Sequence, residues 1–170
     1  MDLSRNLTHK WGKGGAALSQ FPDEQEALQF RKILPKEAEK LYQLELQLYP
    51  EAWSLELIRQ SLEAPLSYSE GVFDREELLG YCLAQIYSEE AHLLNLAVAS
   101  EWQTRGLGAQ LLDRLIDRLK ERACTSLLLE VRPSNQRARQ LYESRAFEFL
   151  MSRDHYYSDG EAALVLIKRL

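Results

Sequence analysis

The sequence predicts a single α/β (α+β) domain with a sheet of about seven strands flanked by about four helices. The first observation behind this prediction is length, because 170 residues suit one domain that buries a real core. The second is composition, since 45% of the residues are hydrophobic and 28% are charged, as in ordinary globular proteins. The third is that segments with the two-residue period of strands alternate with segments that have the helical period.

The first half of the domain predicts one strand, two helices and then three strands. Pro35 is expected to open the first helix, because proline is favoured in the first helical turn. Ser54 is a suitable N-cap for the second helix. A short charged turn (DREE) separates the first two of the three strands. The predicted elements are strand 27–34, helix 35–49, helix 54–62, and strands 66–73, 77–87 and 90–98.

The second half predicts a long helix, a strand, a second helix and two final strands. The long helix carries leucines and an isoleucine on one face and charged residues on the other, which predicts packing against a core. Ser134, which follows Pro133, is expected to cap the second helix. The predicted elements are a helix from about Gly106 to Ala123, strand 126–131, helix 134–145, and strands 147–152 and 162–170.

The domain is expected to cover residues 26–170, preceded by a flexible polar extension over 1–25 that has too little apolar surface to offset chain entropy. Cys82 and Cys124 lie in apolar stretches without metal-ligand or redox spacing, so we expect two buried thiols and no metal. The first residues lack the apolar core of a signal peptide, and no apolar run approaches the ~18 residues of a membrane span. We therefore expect a cytoplasmic protein with no membrane contact, and a monomer is the default for a fold of this size.

The formal net charge of −5 provides no general basic surface for nucleic acid. We accordingly expect no direct nucleic-acid site, and the charge favours a cationic partner. A small basic cluster in the extension (KWGK, 10–13) could touch RNA or phosphate, but a solvated tail is the simpler interpretation.

The segment SEWQTRGLGAQLL (100–112) places two glycines at the start of the long helix. Glycine there costs roughly 1 kcal/mol relative to alanine, so something is expected to approach the backbone closely. The unpaired amides of a helix N-terminus suit a pyrophosphate, and Arg105 can add positive charge. On spacing alone, a surface turn that uses glycine for its conformation remains an alternative.

Two other phosphate-binding motifs fit less well. No GxxxxGK[ST] sequence is present, so a Walker loop is excluded. A dinucleotide fingerprint requires GxGxxG directly after a strand, whereas this chain has Leu111 in the third glycine position and seven residues between strand and glycines.

The segments LNLAV, QTRGLG and LLDRLI, followed by LLLEVRPSNQRARQLYESRAF, resemble the GNAT superfamily of acetyl-CoA-dependent N-acyltransferases. Within it they are most similar to the ribosomal-protein-alanine N-acetyltransferase branch, and LEVRPSN with LYES is the most specific part. The resemblance covers about Leu28 to Leu170. It implies the GNAT fold with a central mixed sheet, acetyl-CoA as cosubstrate and no metal.

The resemblance implies a cofactor site along the central strand and the glycine loop. The backbone of Leu96, Ala97 and Val98 would pair with the pantetheine arm, and Asn135 would contact the cofactor again. Asn135, Ala138 and Tyr142 recur at helical spacing, which independently predicts that they share one helix face. The residues that would hold the pyrophosphate are Thr104, Arg105, Gly106, Leu107, Gly108 and Ala109.

The resemblance also implies Glu130 as general base and Tyr142 as general acid. An α-amine has a pKa of about 8, so a modest base suffices to free its lone pair, and a phenol near pKa 10 can protonate a departing thiolate. Without the motif, Glu130 would be interpreted as a solvated strand end and Tyr142 as a core aromatic. No covalent acyl-enzyme is required, so neither cysteine needs to act as a nucleophile.

The acceptor implied by the resemblance is a protein N-terminal α-amine, specifically the N-terminal alanine of a ribosomal protein. An acidic chain suits such basic peptides. The candidate peptide-site residues are Trp53, Tyr156, Tyr157 and Glu161. Two alternatives remain: a GNAT enzyme that acetylates a small-molecule amine or a lysine side chain, and a catalytically silent GNAT-fold module that binds a partner.

One position departs from the family pattern. Arg145 and Ala146 stand where the family commonly has a Leu-Gly-like pair before the phenylalanine. The missing glycine predicts a helix end that does not rely on a left-handed glycine.

Overall fold

The computed structural model describes residues 28–170, so the predicted extension 1–25 lies outside the described residues. In the described part, seven strands and four helices follow one another in the predicted order, which confirms the predicted fold class. The 3-10 helices Pro35–Glu37 and Ser100–Trp102 precede α1 and α3. The elements are β1 Gln29–Lys32, α1 Ala38–Leu48, α2 Leu55–Glu63, β2 Ser67–Asp74, β3 Glu77–Tyr87, β4 Glu90–Val98, α3 Leu107–Glu121, β5 Ser126–Val131, α4 Gln136–Glu143, β6 Glu148–Arg153 and β7 Ala163–Arg169.

All seven strands form one mixed sheet in the order β1-β2-β3-β4-β5-β7-β6. Neighbouring strands are antiparallel except for β4 and β5, which are parallel. A parallel pair requires a crossover connection, and α3 provides it between these two strands.

The parallel pair separates at its carboxyl end. Pairing between β4 and β5 runs from Glu90 with Ser126 to Leu93 with Leu129 and then stops. Beyond that point the rest of β4 pairs with β3, and the end of β5 pairs with β7. A bulge also leaves Leu94 outside the register between β3 and β4. The result is an opening in the middle of the sheet, which we call the splay.

The helices cover both faces of the sheet. On one face, α1 packs against β3 and α2 against β2, and the side chains that the two helices bury there include Leu41, Leu44, Ile58 and Leu62. On the other face, the predicted apolar stripe of α3 is buried together with Tyr142 of α4, as expected for an amphipathic helix on a core. Cys82 and Cys124 are both buried free thiols, as predicted. Within the described residues, no helix is both long and apolar enough to cross a bilayer.

The predicted N-cap of the last helix is wrong by one residue. Asn135 caps α4, and its Oδ1 accepts a hydrogen bond from the Ala138 amide at 3.1 Å. Ser134 lies one residue before the cap, and its amide and hydroxyl both donate to Glu161, at 2.9 and 3.0 Å. The predicted Ser54 cap of α2 is correct, with Ser54 Oγ accepting from the Leu57 amide at 3.2 Å.

The end of α4 is left-handed even though no glycine stands there. Ala146 has φ +57°, and its amide donates to the Glu143 carbonyl at 3.0 Å. The next amide, of Phe147, donates to the Tyr142 carbonyl at 3.1 Å. These two bonds form a Schellman motif, so the helix ends as a glycine would end it, with alanine in the strained position.

Candidate active site

A continuous groove runs through the splay between β4 and β5. It consists of two cavities of about 540 and 480 Å³, which we call the strand cavity and the loop cavity. The strand cavity is lined by the ends of β4 and β5, and the loop cavity by the loop before α3 and the start of that helix. Both cavities are lined by Tyr49, Leu96, Asn135, Ala138 and Tyr142. The shared helix face predicted for α4 therefore forms the junction of the groove.

The loop cavity contains most of the residues predicted to hold a pyrophosphate. Thr104 and Gly106 have φ +65° and +81°, so two left-handed residues turn the chain into α3. The first-turn amides of a helix have no partner within the helix and carry the positive end of its dipole, which suits an anion. The predicted residues that line this cavity are Leu96, Ala97, Val98, Thr104, Gly106, Leu107, Gly108, Ala109 and Asn135.

Arg105 lies elsewhere, because its guanidinium sits over the Trp102 ring at 4.6 Å and does not line the loop cavity. Arg137 of α4 lines it instead and donates to the side chain of Gln103. Gln103 in turn donates to the Val98 carbonyl at 2.8 Å, which ties the loop to the end of β4. Sequence reasoning assigned no role to Gln103 or Arg137, although Gln103 opens the QxxGxG segment.

Glu130 and Tyr142 are both brought to the strand cavity. Glu130 lies on β5 just past the last pair with β4, and its Oε1 accepts a hydrogen bond from Arg153 at 3.1 Å. Tyr142 is buried against Phe147, with ring centroids 5.5 Å apart. Burial raises the pKa of Tyr142 above its ordinary value of 10, so the phenol keeps its proton at neutral pH.

The other walls of the strand cavity come from the segment after α1 and from the loop between β6 and β7. Trp53 and Tyr157, two of the predicted peptide-site residues, line it. Arg132 lies 3.7 Å over the Tyr157 ring and holds it in place. Ser158 donates to Glu51 at 2.5 Å, which joins the two segments.

The other two predicted peptide-site residues do not line the cavity. Tyr156 is exposed and packs edge-on against Tyr157 at 5.0 Å. Glu161 accepts hydrogen bonds from Ser134 and, at 2.9 Å, from Arg132. Hydrogen bonds from the Ser134 backbone and from Arg132 lower the pKa of Glu161. The carboxylate of Glu161 thus stabilises the loop between β5 and α4.

The strand cavity is acidic, with four carboxylates against one guanidinium among its lining residues. One of the four, Glu45, was missed by sequence reasoning. A signal was present, because Glu45 is four residues after Leu41 and so shares the buried face of α1. The cavity's charged residues are Glu45, Glu51, Glu130, Asp159 and Arg132. Among the described residues, no group of three or more His, Cys, Asp or Glu side chains is arranged to hold a metal ion.

Comparison with known proteins shows a family and several relatives to which this chain is similar. Residues 36–147 match the model of the acetyltransferase (GNAT) family. The ribosomal protein bS18 alanine N-acetyltransferase of Salmonella typhimurium is 43% identical over 86 residues, which is 51% of this chain and 58% of that protein. The Haemophilus ducreyi protein of the same name is 31% identical over 143 residues, or 81% of this chain and 96% of that protein.

A solved structure agrees with the sequence matches. The crystal structure of the ribosomal-protein-S18-alanine N-acetyltransferase from Escherichia coli superposes with a TM-score of 0.79 at 29% identity. The superposition covers 84% of this chain and 93% of that chain.

Proposed function

The chain belongs to the acetyltransferase (GNAT) family, and from this premise we propose that it transfers the acetyl group of acetyl-CoA to a protein N-terminal α-amine. The proposed acceptor is the N-terminal alanine of a ribosomal protein. One observation carries the proposal: Glu130 of β5 and Tyr142 of α4 line one cavity at the splay, which continues to the N-terminus of α3. The names of the relatives support alanine as the acceptor.

The loop cavity is the proposed binding site of acetyl-CoA. The first turn of α3 offers amides and a positive dipole to the pyrophosphate, and Arg137 adds a charge. From Leu94 to Val98, the edge of β4 that faces the splay has no partner strand in β5. The backbone groups of this edge that are bound neither to β3 nor, at the Val98 carbonyl, to Gln103 can pair with the pantetheine amides, as an added strand would.

The proposed reaction is direct attack of the amine on the thioester. Glu130 accepts a proton from the amine as the C–N bond forms, and Tyr142 donates a proton to the thiolate sulfur as the C–S bond breaks. The raised pKa of Tyr142 keeps that proton available at neutral pH. Arg153, bound to Glu130, fixes the direction of the carboxylate.

The acidic, aromatic strand cavity supports a basic peptide as the acceptor. Its carboxylates outnumber its single guanidinium by four to one, so a cationic N-terminus is attracted to it. Trp53 and Tyr157 offer flat apolar surfaces to the first residues of the peptide. Since the proposed acceptor is a ribosomal protein, we propose that the reaction takes place in the cytoplasm.

The first test is thiol release from acetyl-CoA with three acceptors: a basic peptide with N-terminal alanine, the same peptide with a blocked N-terminus and an internal lysine, and a polyamine. We expect turnover only with the free alanine terminus. Turnover with lysine or polyamine would reassign the acceptor. CoA binding without any turnover would favour a silent binding module.

The second test assigns the acid and the base. Glu130→Gln and Tyr142→Phe are each expected to lower kcat by roughly 10²-fold or more, as removal of a general acid or base does. CoA affinity should change little. The matched controls are Glu148→Gln and Tyr87→Phe, because both side chains are exposed outside the groove. A Glu130→Gln enzyme with unchanged turnover at neutral pH would show that the assigned base is wrong.

A further inference from the structure

Glu45 is a buried carboxylate that the proposed acid–base pair does not use. It is 1% exposed, and both of its oxygens accept hydrogen bonds. Oε1 accepts from the Tyr81 hydroxyl and, at 2.9 Å, from the Asn95 amide, while Oε2 accepts from the Trp53 backbone at 3.0 Å. All three contacts place a donor group against a carboxylate oxygen, as an ionised carboxylate requires.

The three donors to Glu45 are all neutral, which is unusual for a carboxylate so deeply buried. Buried charges are normally paired with an opposite charge, because desolvation is costly. Two other acids of the strand cavity do have such partners, since Glu130 binds Arg153 and Asp159 binds Arg132. Among the described residues, the carboxylate of Glu45 is therefore bound by neutral dipoles alone.

Two tyrosine hydroxyls lie close to Glu45. Desolvation, together with the charge of Glu45, raises the pKa of Tyr49 to about 12. Burial and the same charge raise the pKa of Tyr81 well above its ordinary value.

Glu45 also lies beside the opening at the splay. It lines the strand cavity together with Glu130. Its partner Asn95 lies on β4 just past Leu93, the last residue paired with β5, and so borders the splay. Carboxylates thus stand on both the α1 side and the β5 side of the opening.

We propose that Glu45 is a positioning residue whose charge, acting across the cavity wall, favours the protonated N-terminal amine in the strand cavity; this ammonium group releases one proton to solvent before attack, and Glu130 takes the second as the C–N bond forms. This inference rests on the proposed function, because it concerns how the proposed N-terminal acceptor is held in its protonated form on the α1 side of the strand cavity. Neutral donors do not offset the negative charge of a carboxylate, so this charge acts on a cation across the groove. An arginine partner offsets most of the charge of the carboxylate that it binds.

The test is calorimetric binding of two peptides to the enzyme saturated with CoA, which cannot support turnover. One peptide has a free N-terminal alanine, and the other is identical but N-acetylated. Glu45→Gln should weaken the free-amine peptide at least tenfold and the acetylated peptide less than twofold. Equal weakening of both peptides would indicate a purely structural role and would overturn the proposal, as would no change in either.

The matched control is Glu70→Gln. Glu70 is also a buried carboxylate, but it binds Arg114 and Tyr68 and does not line the groove. We expect it to leave both peptide affinities unchanged.

A second measurement leaves Glu45 intact, in case its substitution prevents folding. In the Glu130→Gln enzyme, the free-amine peptide should still bind several-fold more tightly than a peptide in which an N-terminal lactoyl group replaces alanine. Loss of that preference would assign it to Glu130 and overturn the proposal. Failure of the wild-type enzyme to bind or acetylate the free-amine peptide would instead count against the proposed function itself.

Discussion

At the scale of single residues, Glu37 shows how strongly local partners can tune a carboxylate. It lies in the 3-10 helix before α1 and is buried. Arg31 of β1 donates two hydrogen bonds of 2.9 Å to its two oxygens, and the Leu34 amide donates a third of 3.0 Å. The Arg31 hydrogen bonds are the main cause that lowers the pKa of Glu37 from 4.5 to about 2.

This shift predicts an acid-dependent loss of stability. A depressed pKa stabilises the fold above the unfolded-state value of 4.5, and this stabilisation is lost as pH falls towards about 2. At neutral pH, Glu37→Gln should therefore lower the free energy of unfolding by about 3 kcal/mol. The difference between variant and wild type should shrink to less than half by about pH 3.

Urea unfolding at the two pH values measures this difference. Glu76→Gln is the control. Glu76, like Glu37, is a carboxylate that binds a cationic side chain, in this case Lys40, but Glu76 is exposed. Its effect should be small at both pH values. A Glu37→Gln difference that stays constant with pH would contradict the assigned ion pair.

At the scale of elements, α4 ends at a strained alanine that contacts with neighbouring elements hold in place. Ala146 adopts the left-handed conformation that glycine favours. Arg145 beside it binds Asp113 of α3 through two hydrogen bonds of 3.0 and 3.1 Å, and its carbonyl accepts from Lys168 of β7 at 2.8 Å. Contacts with two neighbouring elements therefore hold the turn in place.

Relief of this strain predicts a stabilising substitution. Ala146→Gly should raise the free energy of unfolding by about 1 kcal/mol, because a left-handed residue with a Cβ costs roughly 1–2 kcal/mol. Thermal and urea unfolding measure the gain. Ala138→Gly, in the right-handed interior of the same helix, should have the opposite sign at about 1 kcal/mol. Two variants that shift stability in the same direction would refute the conformational explanation.

At the scale of the whole molecule, both the chain and the strand cavity carry an excess of negative charge. The formal net charge is −5, and the strand cavity carries carboxylates on several of its walls. Charge of one sign in a cleft raises the local concentration of oppositely charged ligands. The capture of a basic peptide should thus depend on the field of the entire domain.

Salt dependence tests this property. The KM of a lysine- and arginine-rich peptide with N-terminal alanine should rise several-fold between ~0.05 and ~0.5 M salt, because the screening length shortens from over 10 Å to below 8 Å. The kcat should change little. A peptide with the same first residues and a neutral remainder should keep its KM within about twofold. Equal sensitivity of the two peptides would argue against electrostatic capture.

Much of the fold could be predicted from the sequence because hydrophobic periodicity and turn residues are local properties. The strands 77–87, 90–98 and 126–131 are observed with the predicted bounds, and helix ends differ by a few residues. The N-cap of α4 was harder to predict, because Ser134 and Asn135 are both good N-cap residues. In the folded protein Asn135 caps α4, whereas Ser134 binds Glu161, which lies in the loop between β6 and β7.

By itself, the sequence determined the order of elements, and it predicted Glu130 and Tyr142 as the acid–base pair, which stays a prediction. Only the tertiary structure decided which charges share the groove. Tyr81 and Asn95 lie 36 and 50 residues from Glu45, and Arg137 lies 34 residues from Gln103. Such partners are brought together by sheet order and helix packing, and no local pattern encodes them. Charge pairing and burial are therefore set by the assembled fold.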